Sequence, residues 1–310
     1  MKTVFIDGSA GTTGLRIYDR LSTRPELELV TLPDAVRKDP AKRAEALNNC
    51  DLAFLCLPDA AAVEAAAMVT NPDVVLLDTS TAHRTNPLWA YGFPELSESY
   101  AEKIRSAKRI AVPGCHASGF IALVYPLIAA GYLDADALLT CHSLTGYSGG
   151  GKKMIADYRA EGRPVLYDAP RQYGLTQQHK HLREMKAVTG LANAPIFCPI
   201  VADFYSGMEV TVHLFAAQMK MKASLPELQA FYQRWYQGML VRCTDSPDED
   251  GMLSANAFSG KDTMTIFVTG NDERMLLTAR YDNLGKGASG AAIECMNLVL
   301  GLDPATGLET

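Results

Sequence analysis

The sequence predicts an α/β fold in two parts: a doubly wound parallel sheet, followed by an α+β domain whose sheet is mainly antiparallel. Three observations predict it. Through the first third of the chain, short apolar strands alternate with helical segments, which implies a parallel sheet covered by helices. A loop with a glycine at every third position, Gly8-Ser9-Ala10-Gly11-Thr12-Thr13-Gly14, joins the first strand to the first helix. From about residue 136 the pattern changes to longer strands with period-two alternation, the mark of an antiparallel sheet with one face on a core.

Taken in order, strands are predicted over residues 2–7, 27–32, 51–57, 74–78 and 109–112, and helices over 12–21, 40–48 and 59–69. Asp59, after Pro58, reads as the N-cap of the Ala-rich helix. A buried helix begins near Ser118; its apolar run, 120–133, carries Pro126 and Gly131 and falls short of the roughly 20 residues of a membrane span. The period-two strands cover 137–144, 208–219, 263–270 and 275–281, the last two joined by Asn271-Asp272-Glu273 as a hairpin. Ser224-Leu225-Pro226-Glu227 has the form of a capping box opening a helix over 225–240. Residues 244–251 read as an acidic, solvated loop. The last helix, 288–300, follows Gly285-Lys286-Gly287 and is expected to return to the first domain.

With 310 residues, 48% of them hydrophobic and 21% charged, the chain is long enough for two domains with proper cores. A formal charge of −6 and the absence of a Lys/Arg run argue against nucleic acid or an anionic membrane as the main partner, leaving small molecules. Seven cysteines, spread from Cys50 to Cys295 without a C-x-x-C pair, indicate neither a disulfide framework nor a structural metal site. The opening residues run straight into a strand without a signal-peptide core, so a cytoplasmic protein with reduced thiols is expected.

The chemistry concentrates in a few motifs. In Val112-Pro113-Gly114-Cys115-His116-Ala117-Ser118 a cysteine hangs on the step between a strand and a helix, where the helix N-terminus favours thiolate and can hold an oxyanion. In Gly8 to Gly14, with Ser9, Gly11, Thr12 and Thr13, glycines let the backbone touch a pyrophosphate while the helix N-terminus faces its charge; that is the context for a Rossmann-type dinucleotide loop. No acid ends the second strand, and Arg37-Lys38 follow nearby, so NADP is preferred over NAD, although an exposed loop pair accounts for these two residues equally well. Gln177-Gln178-His179-Lys180-His181-Leu182-Arg183-Glu184 supplies two histidines and an acid. One imidazole can exchange a proton with a thiol and a developing alkoxide, and Glu184 can orient a ring; without further ligands a metal is not expected. Gly146-Tyr147-Ser148-Gly149-Gly150-Gly151-Lys152 is either a second anion site or a flexible turn. Ser80-Thr81-Ala82-His83-Arg84 is a weaker candidate of the same kind.

Together with Asp282-Asn283-Leu284-Gly285-Lys286-Gly287-Ala288, Asp78 to Arg84, and Tyr91-Gly92-Phe93-Pro94-Glu95-Leu96, these motifs resemble the N-acetyl-γ-glutamyl-phosphate reductases of arginine biosynthesis, in their short form. Short-form members place His-Ala-Thr after the cysteine, where this chain has His116-Ala117-Ser118, which keeps the hydroxyl. The resemblance implies Cys115 as nucleophile, His179 as acid/base with His181 next to it, and Asn283 and Lys286 as neighbours of the nicotinamide. Ser80 joins the cofactor site, and Arg84, Ser148, Gly149 and Lys152 the substrate site. Residues 1–114 and 284–310 are then the dinucleotide-binding domain, and 115–283 the catalytic, substrate and oligomerisation domain of a homodimer or homotetramer. The implied reaction is NADPH-dependent reduction of the acyl phosphate to a semialdehyde through a Cys115 thioester. The alternatives are another phosphorylating semialdehyde dehydrogenase, such as one acting on aspartyl phosphate, or a dinucleotide-binding regulatory protein without catalysis.

Overall fold

The protein is described from a computed structural model, which covers residues 1–245 and 250–310; part of the acidic stretch, residues 246–249, lies outside the described residues. The chain forms two compact units, Met1–Gly114 with Ala288–Leu308, and Cys115–Gly287 with Glu309–Thr310.

The first unit is built from β1 (Lys2–Asp7), α1 (Thr12–Leu21), β2 (Leu27–Val30), α2 (Pro40–Asn49), β3 (Leu52–Leu55), α3 (Asp59–Ala67), β4 (Val75–Asp78), β5 (Ala90–Tyr91), α4 (Glu98–Ser106) and β6 (Arg109–Ala111). The strands form one sheet in the order β2-β1-β3-β4-β6-β5, and every pairing is parallel. All four residues of β3 and of β4 are buried, as central strands covered on both faces must be. Alternate side chains divide between two cores. Val4, Ile6, Phe54 and Leu77 join Ile17 of α1 on one face, whereas Phe5, Ala53, Leu55 and Leu76 join Leu47 of α2 and Ala65 of α3 on the other. Asp39 caps α2, accepting from the N–H groups of Ala41 (2.8 Å) and Lys42 (3.3 Å), with Pro40 as first helical residue.

The second unit contains α5 (Cys115–Ala129), β7 (Thr140–Gly146), α6 (Gly151–Arg159), β8 (Arg171–Gln172), α7 (His181–Thr189), β9 (Ile196–Ala202), β10 (Met208–Phe215), α8 (Leu225–Trp235), β11 (Val241–Cys243), β12 (Met264–Gly270) and β13 (Arg274–Tyr281). Its sheet runs β11-β12-β13-β10-β7-β9-β8. The pairs around β10 and β13 are antiparallel, and β11–β12 and β7–β9 are parallel. A parallel β7–β9 pair needs a crossover, and residues 147–195 with α6 and α7 provide it. The β12–β13 hairpin closes where Asn271 and Arg274 exchange backbone hydrogen bonds of 2.9 and 3.2 Å.

Helix α5 lies against this sheet and carries a proline in its interior. Pro126 has no N–H to offer the carbonyl of Ala122, four residues before it, and the Tyr236 hydroxyl donates to that carbonyl instead, at 2.8 Å. The Tyr232 hydroxyl donates to the next carbonyl, that of Leu123, so two tyrosines from the end of α8 hold this part of α5, and Tyr236 supplies the bond that the proline removes. The last helix, α9 (Gly290–Val299), belongs to the first unit, where Ala291, Ala292, Ile293 and Met296 pack in one core with β1.

Several boundaries differ from expectation. Helix α5 starts at Cys115 rather than near Ser118, so the cysteine is the first helical residue. Asp59 lies inside α3 with Pro58 at the cap, because its carboxylate is taken by the Thr81 N–H (2.9 Å) and hydroxyl (2.5 Å). β10 ends at Phe215, after which residues 216–218 form a 3₁₀ turn; α8 ends at Trp235; and residues 285–289 form a π-helical turn before α9. The capping box of α8 forms as expected between Ser224 and Glu227.

Candidate active site

In the first unit the glycine loop does what its spacing requires. Gly8 has φ +86, and a Cβ there would lie 2.3 Å from the Cys56 carbonyl oxygen, so no other residue fits between β1 and the chain after β3. Gly11 is the N-cap of α1, and no side chain caps the helix; its first N–H groups at Thr12, Thr13 and Gly14 lie at the positive end of the helix dipole. A cleft of about 240 Å³ is lined by Gly8, Ser9, Leu32, Arg37, Lys38 and Arg43 among others. The loop and the Arg37-Lys38 pair are thus brought together, and the residues present fit a dinucleotide phosphate group. Arg37 also holds Asp34 at 2.9 Å. Sequence reasoning missed Arg43. Buried at the end of the cleft, it donates from Nε (3.1 Å) and Nη2 (2.9 Å) to Asp7 at the end of β1. Burial outweighs this ion pair and raises the Asp7 carboxyl above its usual range.

The loop after β4 is tied to its own backbone. Asp78 accepts from the Ser80 N–H and hydroxyl, both at 2.8 Å, and contacts Nδ1 of His83 at 2.6 Å; the His83 ring stacks on Trp89 at 3.9 Å. Arg84 donates to the carbonyls of Val112 (2.8 Å) and Thr79 (2.9 Å). Two of its N–H groups therefore hold the strand end that leads to Pro113, Gly114 and the cysteine.

In the second unit Cys115 is half-buried at the start of α5. The Tyr281 hydroxyl braces the first turn of this helix: it accepts from the Gly119 N–H at 3.0 Å and donates to the Cys115 carbonyl. Gly119 leaves the space, because a Cβ there would be 2.7 Å from that hydroxyl. Burial first, and then the nearby Cys115 charge, push the Tyr281 phenol well above its ordinary value, so it stays a neutral donor.

Around the cysteine's helix stands a cluster of imidazoles. The His179 and His181 rings are 4.7 Å apart, and His116 lies 5.8 Å from His179 and 5.6 Å from His181. Phe197 packs edge-on against His116 and His179 at 5.3 and 5.2 Å. Nδ1 of His179 accepts from the His181 backbone N–H at 3.2 Å, which leaves the proton of the neutral ring on Nε2. Burial, and then Lys180, lower the His179 pKa, favouring that neutral form. His181 and Glu184 share a buried face of α7, one turn apart, and α7 packs on α5. His116 sits inside the cluster: Nδ1 meets the Ser143 hydroxyl at 2.6 Å, and Nε2 meets the Tyr173 hydroxyl at 2.7 Å. Neither Ser143 nor Tyr173 was picked out by motif; the only signal for Tyr173 was its place six residues before His179.

The other predicted residues divide by exposure. Ser148 is buried, and Gly149 and Lys152 are exposed at the start of α6. Asn283 is buried and braces the Gly146 loop, donating to the Ser148 hydroxyl (3.0 Å) and accepting from the Gly207 N–H (2.9 Å). Asp282 holds the loop that follows β13 by accepting from the N–H groups of Leu284 (2.7 Å) and Gly260 (2.6 Å). Lys286 is buried in the π-helical turn. Gly287 approaches the cysteine, as a Cβ there would lie 3.1 Å from Cys115 Cβ. Among the described residues no group of three or more His, Cys, Asp or Glu side chains is placed to hold a metal ion, and no helix is long and apolar enough to cross a membrane.

Residues 3–107 match the semialdehyde dehydrogenase NAD binding domain, and residues 115–283 the semialdehyde dehydrogenase dimerisation domain. The chain is 44% identical to N-acetyl-gamma-glutamyl-phosphate reductase 2 of Nostoc sp., over 98% of both chains, and 42% identical to the protein of the same name in Pseudomonas putida, again over 98% of both. The chain belongs to the N-acetyl-gamma-glutamyl-phosphate reductase family. It is therefore an oxidoreductase of the semialdehyde dehydrogenase group, with the two-domain α/β fold that the sequence predicted. Solved structures of this fold include aspartate semialdehyde dehydrogenase II of Vibrio cholerae, with a TM-score of 0.74 and 14% identity over 97% of this chain and 98% of that one. Another is the Candida albicans aspartate semialdehyde dehydrogenase with NADP, with a TM-score of 0.69 and 14% identity over 97% and 98%. At that identity the likeness of these structures to the reductase family member described here concerns the fold alone.

Proposed function

We propose that this protein reduces N-acetyl-γ-glutamyl phosphate to N-acetylglutamate 5-semialdehyde with NADPH, releasing phosphate, as a step of arginine biosynthesis in the cytoplasm. The observation that carries the reading is the identity of 42–44% across 98% of the chain with relatives of that name. Preference for NADP is supported by Arg37 and Lys38 in the cleft beside Gly8 and Ser9, where no carboxylate ends β2 to meet a ribose hydroxyl. Residues 1–114 and 284–310 are the dinucleotide-binding domain, and 115–283 carry substrate, chemistry and the contacts of a homodimer or homotetramer.

The chain's own residues account for the chemistry. Cys115, at the positive end of α5, attacks the acyl carbon as thiolate; the C–S bond forms, the C–O bond to phosphorus breaks, and phosphate leaves with the electron pair. When bound, the nicotinamide supplies the hydride that reduces this thioester. His179, neutral with its proton on Nε2, donates a hydrogen bond to the developing alkoxide; as the C=O bond re-forms the C–S bond breaks, so that Cys115 departs as thiolate and the aldehyde is released. His181 and Glu184 support that ring from α7, Arg84, Ser148, Gly149 and Lys152 receive the substrate's anionic groups, and Ser80, Asn283 and Lys286 border the cofactor.

The test is phosphate-dependent reduction of NADP by N-acetylglutamate semialdehyde, followed at the nicotinamide absorbance, with Cys115→Ala as control. Activity that requires phosphate and vanishes in the variant is expected. Turnover of aspartate semialdehyde in its place would move the assignment to the aspartyl relatives, and cofactor binding without turnover of either would favour a regulatory role.

A further inference from the structure

His116 follows the nucleophile directly, yet its ring is spent on other partners. It is the middle of a chain running from the buried Ser143 on β7, through its two ring nitrogens, to the hydroxyl of the half-buried Tyr173 just after β8. A neutral imidazole has one donor and one acceptor nitrogen, so it fills one role toward each hydroxyl and has no proton to exchange with Cys115. Burial, and then the charge of His179, lower its pKa to about 3, which keeps it neutral under working conditions. Tyr173 is held from both sides: its hydroxyl by His116, and its ring at 6.1 Å from both the His116 and the His179 ring. Burial, and next the charge of Cys115, raise the Tyr173 phenol above its ordinary range, so the hydroxyl keeps its proton and lies within electrostatic reach of the thiolate.

We propose that His116 is a positioning residue, which fixes the Tyr173 hydroxyl beside Cys115 and His179 so that it donates a hydrogen bond to the anion of the reacting centre, first the thiolate and then the oxyanion of the substrate. The inference rests on the assignment of Cys115 as nucleophile. It adds a donor that no motif indicated, and it gives the histidine after the cysteine a purpose other than packing. Ser143 anchors the far end, setting the ring plane from the rigid strand β7.

The two amide replacements of His116 separate this role from packing. Glutamine places its amide where Nε2 stands and keeps a partner for Tyr173, whereas asparagine reaches only the Nδ1 position and keeps a partner for Ser143. Two readouts are taken on the full chain, with folding checked by thermal melting: kcat and KM in the semialdehyde assay, and the rate at which iodoacetamide alkylates Cys115 at neutral pH. Tyr173→Phe is expected to lower kcat and the alkylation rate by about 10- to 100-fold, the loss of one hydrogen bond to a charged group, with KM little changed. His116→Asn should fall to the same level, His116→Gln should keep most of the activity, and His116→Asn/Tyr173→Phe should be no slower than Tyr173→Phe alone. Ser143→Ala, the gentlest change, should give a smaller loss in both readouts. Equal losses in His116→Gln and His116→Asn, or a double variant slower by the product of the single effects, would show His116 to be core packing and overturn the proposal. The alkylation readout needs no substrate, so it supports or overturns the proposal even if the wild type fails to turn over N-acetylglutamate semialdehyde, a failure that counts against the substrate assignment alone.

Discussion

Removing the Tyr236 hydroxyl tests whether α8 completes the helix that begins with Cys115. The Ala122 carbonyl is fully buried, and Pro126 cannot donate to it, so in Tyr236→Phe it is left without a partner in an apolar interior. An unpaired buried acceptor costs about 1–3 kcal/mol. In a Pro126→Ala background the new N–H at position 126 reaches the same carbonyl within the helix, and the hydroxyl becomes redundant. There Tyr236→Phe should cost no more than about 0.5 kcal/mol, leaving an interaction energy of roughly 1–2 kcal/mol between the two positions. The assay is urea denaturation followed by tryptophan fluorescence. Trp235 lies on α8 next to the altered residue and packs on Tyr125 of α5, so it reports the second unit once Trp89, the other tryptophan, is replaced by phenylalanine. If Tyr236→Phe costs the same with proline as with alanine at position 126, the carbonyl was never dependent on the hydroxyl and the account is wrong.

Selective alkylation follows from burial of the other thiols: Cys50 is pushed up to about 11, Cys56 and Cys243 to about 12, and Cys141 further still. Iodoacetamide at neutral pH should therefore label Cys115 ahead of these four, read by peptide mass mapping, and preferential labelling of Cys50 or Cys243 would contradict an activated Cys115. Arg37→Ala/Lys38→Ala should raise the Kd for NADP about tenfold and leave NAD binding unchanged, measured by fluorescence titration, and equal weakening of both would remove the 2′-phosphate assignment. The His116 pKa, about 3 in the fold against an ordinary 6.5, makes the unfolded chain bind a proton that the folded chain refuses between those values. Stability from this group is complete above pH 6.5 and is lost as pH falls toward 3, amounting to about 2 kcal/mol by pH 5. His116→Gln should show a correspondingly flatter loss of denaturation midpoint between pH 7 and 5; an unchanged slope would mean that the imidazole is accessible to protons.

The first unit was largely legible in the sequence because its signals are local. A glycine loop after an apolar strand, and uninterrupted apolar strands such as Leu52–Leu55, leave little choice but a parallel sheet covered on both faces. In the second unit the edges were not legible. Ile196–Ala202 contains Pro199 and lacks clean alternation, yet it pairs with β7 over its whole length because a crossover delivers it there. At the site, Cys115 and the two histidines of α7 stood out by residue type and position. His116, Tyr173, Ser143, Arg43 and Tyr281 did not, since each acts through a partner between 27 and 166 residues away, and no spacing rule spans such distances. Asp59 misled for the opposite reason: it had every local feature of a cap, and a distant threonine outbid the helix.

The brace at Tyr281 also bears on when the nucleophile is ready. A helix ordinarily closes its first turn from residues already made, four positions apart. Here residues 115 and 119 are joined a second time, through the side chain of residue 281. During synthesis that second link waits for some 160 further residues. A nascent or truncated chain ending before β13 carries the cysteine without this brace, so the support around the reactive thiol is complete only when most of the second unit has been made.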